Sequence, residues 1–197
     1  SDVKPSPTSP VQYGPGRVGS GLVNAANAIN DGGKGPKVIA YDKDEPLLVN
    51  LSFGMIEATG PTSVSRTIEL KNKGNAAITY NVGLQNVVQE NGTTVSVNKT
   101  SVTVPANGKA TVVVTINADP NSATQSFKHD ASVPEAQLGL MREWLSELAG
   151  YVTFTASGKP SLRVAYHAVP RSRPTHPPDA QTRCSFWVAA RSAASSD

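Results

Sequence analysis

Along the middle of the chain, apolar residues return at every second position, the period of a strand with one buried face. In Val64-Ser65-Arg66-Thr67-Ile68-Glu69-Leu70 the alternate positions are apolar except Arg66. Ile78, Tyr80, Val82 and Leu84 alternate with Thr79, Asn81 and Gly83. Val95 with Val97, and Val102 with Val104, form shorter sets, and Ala110, Val112, Val114 and Ile116 form a longer one. Val152, Phe154 and Ala156 alternate with threonines, and Leu162, Val164, Tyr166 and Ala168 follow. Turn residues fall between these runs. Asn91-Gly92 and Lys73-Gly74-Asn75 each separate two of them. Asn107-Gly108 joins residues 101–105 to 109–116 with the dipeptide that tight hairpins favour.

Elsewhere the period lengthens to that of a helix. Ser20 can cap a short helix over about 20–30, with Leu22, Ala26 and Ile29 on one face and Asp31-Gly32-Gly33 as its stop. Ser132 and Glu135 have the capping-box spacing, with Pro134 in the first turn. Leu138, Met141, Leu145 and Leu148 then line one face beside Trp144, and Ala149-Gly150 ends the run. The fold expected is therefore mainly β: an antiparallel β-sandwich of the fibronectin type III or Ig-like kind. It would carry one helix inserted within about 118–149 and a short N-terminal helix. The lone Cys184 leaves no disulfide to join the sheets, which favours the fibronectin type III variety.

Composition agrees and excludes several classes. The 197 residues include 22 valines against 11 leucines, a bias towards pleated structure. Charged residues are 17% and the net charge is +3, too little to build the basic stripe of a nucleic-acid binder. No apolar run approaches the roughly 20 residues that span a bilayer. Ser1-Asp2-Val3-Lys4-Pro5 opens polar and without Met, which reads as a piece of something longer. Three parts are expected: 1–35, holding the Gly-rich turn and helix; 36–170, the sandwich; and 171–197, a Pro- and Arg-containing mobile tail.

Candidate chemistry is sparse. His129, His167 and His176 are dispersed, which suits neither a triad nor a metal centre. His167 is opposite in parity to Val164 and Tyr166, so it should face outward or towards a neighbouring domain. Gly14, Gly16, Gly19 and Gly21 follow no strand and precede no Gly-Lys-Ser/Thr, unlike a phosphate loop. Asp42, Asp44 and Glu45 lack the spacing of a calcium loop. Asn50, Asn91 and Asn98 head Asn-x-Ser/Thr sequons, which fit secretion. No residue is assigned to catalysis, cofactor binding or metal binding. The outward Thr and Asn faces leave an adhesive or glycan-binding module, or a plain spacer domain, as alternatives.

Gly14-Pro15-Gly16-Arg17-Val18 followed by Gly19-Ser20-Gly21-Leu22-Val23-Asn24-Ala25 resembles the closing segment of subtilisin-like serine protease domains. Thr67–Gly74 with Ile78-Thr79-Tyr80 is similar to a strand pair of the fibronectin type III-like module that follows such domains in large secreted subtilases. Gly150-Tyr151-Val152-Thr153-Phe154 with Leu162–Ala168 resembles that module's closing hairpin, with Ala165 where the family often has proline. The family's serine, histidine and aspartate segments have no match in this chain. The resemblance thus implies a non-catalytic, extracellular or cell-surface accessory region. It would brace a catalytic domain lying upstream in the same polypeptide, and its other contacts would be protein substrate or a cell surface.

Overall fold

A computed structural model describes residues 13–19, 37–121, 136–137, 140–141 and 146–172. The alternating runs become strands of two facing sheets. β1 (Val38–Asp42), β3 (Thr62–Asn72), β7 (Lys109–Ala118) and β5 (Thr93–Val97) form one, in the order β1-β3-β7-β5. β2 (Asn50–Ala58), β11 (Leu162–Ser172), β10 (Leu148–Thr155), β4 (Ile78–Val88) and β6 (Ser101–Val104) form the other, in the order β2-β11-β10-β4-β6. Every pairing within these sheets is antiparallel except β2 with β11, which run parallel.

The apolar members of each run meet between the sheets. Ile68, Leu70, Val112, Val114 and Ile116 from the first sheet face Leu51, Tyr80, Val104, Val152, Phe154, Val164 and Tyr166 from the second. Arg66, the exception in the β3 pattern, reaches the buried Asp42 at 4.0 Å. The hairpin expected at Asn107-Gly108 does not form: β6 pairs with β4 in one sheet and β7 with β3 and β5 in the other, so this turn carries the chain from sheet to sheet, with Asn107 at φ 49°, a left-handed value asparagine tolerates. Asn72, buried at the end of β3, holds the next turn together. Its Oδ1 accepts from the Gly74 N–H at 2.8 Å, and its Nδ2 donates to the Ala76 carbonyl at 2.8 Å and the Val104 carbonyl at 3.3 Å.

Two strands are hidden in the sequence pattern. In β2 the buried positions run Leu51, Phe53, then Ile56, Ala58, a shift of phase in mid-strand. The register explains it: His167 pairs with Ser52 and Ala168 with Gly54, so Phe53 is the extra residue of a bulge. Gly54 follows it at φ 64°, a conformation that favours glycine. β1 is only five residues and buries Val38, Tyr41 and Asp42, which no strict alternation would mark.

The helix expected over 132–149 is overturned in the described residues. β8 (Ala136–Gln137) pairs with β9 (Leu140–Met141), and Leu148 and Ala149 already belong to β10. β10 is a central strand, bonded to β11 on one side and β4 on the other. Those two ladders, with Leu148 buried in the core, outweigh a helical spacing of leucines whose intrinsic preference is weak. The helix expected over about 20–30 lies outside the described residues. Just before it stands a single turn, α1 (Pro15–Val18), with proline in its first turn and Gly19 at φ 70° closing it.

Candidate functional site

The outer face of the five-stranded sheet should be polar, yet part of it is buried. Ala149 and Tyr151 on β10, Ala165 on β11 and Val88 on β4 all point away from the core, and each is at most 6% exposed. The N-terminal segment lies over part of this patch. A Cβ built on Gly14 would sit 2.9 Å from Glu147 Oε1, 3.0 Å from Val88 Cγ2 and 3.2 Å from Ala149 Cβ. One on Gly16 would sit 3.0 Å from Glu147 Oε1 and 3.2 Å from His167 Cδ2. Neither glycine has a special φ; a side chain at either would have to push aside the end of the Glu147 side chain and crowd the Val88–Ala149 surface or the His167 ring. The Tyr151 hydroxyl donates to the Gly19 carbonyl at 3.4 Å, and the Arg163 guanidinium lies 4.6 Å from the centre of the Tyr151 ring.

A small group of polar residues underlies the seat. His167 Nε2 stands 3.5 Å from Glu147 Oε1, and the Glu147 backbone N–H donates to Glu90 Oε1 at 3.4 Å. Glu90 itself is buried. Burial pushes the His167 pKa below its ordinary value despite the carboxylate beside it, so the imidazole is neutral at pH 7. The neighbouring Ser146 gives its hydroxyl to the Pro170 carbonyl. The group therefore reads as a floor for a docked peptide turn: a neutral ring and a carboxylate under glycine backbone.

This has a pH consequence. The unfolded chain binds the His167 proton more readily than the folded one, so stability falls as the pH drops through the unfolded value of about 6.5 towards the lower folded value. Urea unfolding between pH 8 and pH 5 should show this slope, and His167→Gln should make it shallower. Identical slopes in the two proteins would remove His167 as its source.

The structure places the other sequence candidates as follows. His129, His176, Gly21 and Trp144 lie outside the described residues. His167 faces outward, as its parity indicated, and under α1. Asp42, Asp44 and Glu45 lie in a self-bonded loop: Asp42 Oδ1 accepts the Asp44 N–H at 2.9 Å, and the Glu45 carbonyl accepts the Leu48 N–H. Asn91 and Asn98 are exposed in turns, whereas Asn50 begins β2 and is half-buried. The outward Thr, Ser and Asn rows hydrogen-bond across strands, as in Ser65–Thr115, Thr79–Thr103 and Ser63–Asn117. A cleft of about 600 Å³ lies beside the last of these pairs, lined among others by Glu90, Asn91, Thr94 and Asp119.

Sequence reasoning missed Glu147, Glu90 and the cross-strand group Tyr41–Glu69–Lys109. In that group Glu69 accepts from Tyr41 and pairs with Lys109 at 2.6 Å. These two donors, Lys109 foremost, lower the Glu69 pKa. The only local signal for the group was the alternation that sets Glu69 on the outer face of β3.

By its strand order the chain is a mainly β, Ig-like two-sheet sandwich. No family model matches the chain, and no curated protein matches it in sequence. Solved structures share part of the arrangement. A FixG-related protein from Vibrio parahaemolyticus is similar over 68% of this chain and 94% of its own, at 11% identity and a TM-score of 0.38. The seventh PapD-like domain of human CEP192 is similar over 71% of this chain and 88% of its own, at 13% identity and a TM-score of 0.40. A family 123 glycoside hydrolase from Clostridium perfringens is similar over 70% of this chain but 28% of its own, at 11% identity and a TM-score of 0.45.

Proposed function

We propose that this chain is the non-catalytic accessory β-sandwich region of a secreted subtilisin-like serine endopeptidase, and that it braces the catalytic domain preceding it in the same polypeptide. The observation that carries this reading is the seating of Gly14-Pro15-Gly16 on the outer sheet face, against Val88, Glu147, Ala149 and His167. The same glycines belong to the stretch that resembles the end of a subtilase domain. On this reading they fix how that domain leaves its last turn and meets the sandwich. The tight fit supports a brace: a side chain at Gly14 or Gly16 would come within about 3.0 Å of Glu147 Oε1, closer than carbon and oxygen ordinarily approach.

The purified chain should leave casein intact over hours at neutral pH, with or without a serine-protease inhibitor. Cleavage that the inhibitor abolishes would overturn the assignment.

A further inference from the structure

The dipeptide Asn-Gly occurs at 91–92 and at 107–108, and the fold sets the two at different places within a turn. Thr93 closes the first turn. Its backbone N–H donates to the Glu90 carbonyl at 3.1 Å, and its hydroxyl donates to the same oxygen at 2.6 Å. Asn91 and Gly92 are therefore the two central residues, and of the pair only Gly92 has a positive φ, 80°. The peptide between the central residues takes no part in the closing bond. Among the described residues no acceptor holds the Gly92 N–H, and Asn91 is exposed. The second turn uses the same dipeptide one place later. There the Gly108 N–H donates to the Pro105 carbonyl at 3.1 Å, so Gly108 is the closing residue and its nitrogen is engaged. The Asn107 N–H donates to the Gly74 carbonyl at 2.9 Å, and the Gly108 carbonyl accepts the Asn72 N–H at 2.8 Å.

We infer that Asn91 is a site of spontaneous deamidation and that its turn protects Asn107 from the same reaction. The Gly92 nitrogen, having given its proton to hydroxide, attacks Cγ of Asn91. The new C–N bond closes a cyclic imide, and the side-chain nitrogen leaves as ammonia, taking a proton from water. A second water opens the imide at either carbonyl, which leaves aspartate or its β-linked isomer at position 91. The attack needs the Asn91 backbone to turn until Cγ meets the next nitrogen, and glycine, with no Cβ, leaves that approach open. At Asn107 the same motion must first break the bond that closes the turn. The product matters to the cleft described above. Its new carboxylate stands beside Glu90 and Asp119, which line the same space, and like charges there oppose one another. The change also removes the acceptor of the Asn91-Gly92-Thr93 sequon.

Peptide mapping by mass spectrometry, after prolonged incubation of the folded chain at pH 8, tests this. The peptide holding residue 91 should gain the mass of an amide turned to acid at least about tenfold faster than the peptide holding residue 107, the factor that one engaged hydrogen bond can add to a barrier. In concentrated urea, where both turns are lost, the two dipeptides should react at similar rates. Asn91→Gln lengthens the side chain by one carbon and closes the ring poorly, so the gain at position 91 should vanish; the site is exposed, and the fold should tolerate the change. Equal rates in the folded chain, or a faster reaction at Asn107, overturn the inference. So does a preference for Asn91 that persists undiminished in urea, since the turns would then not be its source.

Discussion

Replacing Phe154 by alanine should destabilise the domain by roughly 3–5 kcal/mol, a large share of the 5–15 kcal/mol that holds ordinary domains together. Phe154 is fully buried on the central strand β10, and its ring meets that of Tyr80 edge to face, with centroids 6.5 Å apart and planes at 89°. Deleting it removes the transfer energy of the ring, the aromatic contact with β4 and the filling of the space between the sheets. The surroundings cannot collapse into the gap easily, because β10 is bonded on both sides. Urea denaturation at fixed pH measures this directly. A loss under about 1 kcal/mol would mean that the two sheets do not close on this ring.

Gly150→Ala should be nearly as damaging, for the opposite reason. Gly150 pairs directly with Tyr166 across the ladder, and the ring of that fully buried tyrosine passes over it to donate its hydroxyl to Asn86 Oδ1 at 2.6 Å. A Cβ at Gly150 would lie 2.3 Å from the Gln85 carbonyl oxygen and 2.4 Å from the Tyr166 hydroxyl oxygen. The tyrosine could yield only by abandoning its part-buried hydrogen bond, and the carbonyl belongs to the neighbouring strand. Overpacking of this kind should cost about 3 kcal/mol, a fall in Tm near 10 °C. In a Tyr166→Phe background, which removes the hydroxyl collision but leaves the ring Cζ 2.7 Å from the added carbon, the added loss from Gly150→Ala should be smaller. Strict additivity of the two substitutions would show that the tyrosine hydroxyl is not what excludes a side chain at Gly150.

These two residues also show what the sequence could and could not disclose. Phe154 stood in an alternation of period two, and so did the core residues of β3, β4, β7 and β11, with Arg66 the one break on β3. A period of two needs only local order, and there the strands were legible. β2 was not, since the bulge before Gly54 shifts the phase between Phe53 and Ile56, which leaves two short fragments of pattern. The leucine spacing up to Leu148 suited a helix, but pairing with Val88 and Ala168 comes from residues 61 and 20 positions away in the chain and decides for strand. The seat was legible only in its parts. Parity set His167 outward, and the glycines marked a turn. That Gly14 and Gly16 would lie on Glu147 and His167 is a contact across most of the chain, for which no local pattern exists.

On the proposed reading this sandwich would support a neighbouring catalytic body and perform no cleavage itself. Its most direct test is to treat the polypeptide, with its encoded preceding region, with a fluorophosphonate that labels activated serines, and then to map the labelled peptide. The account predicts one labelled serine upstream of these 197 residues. A labelled serine inside them, or a folded polypeptide that takes up no label, would contradict it.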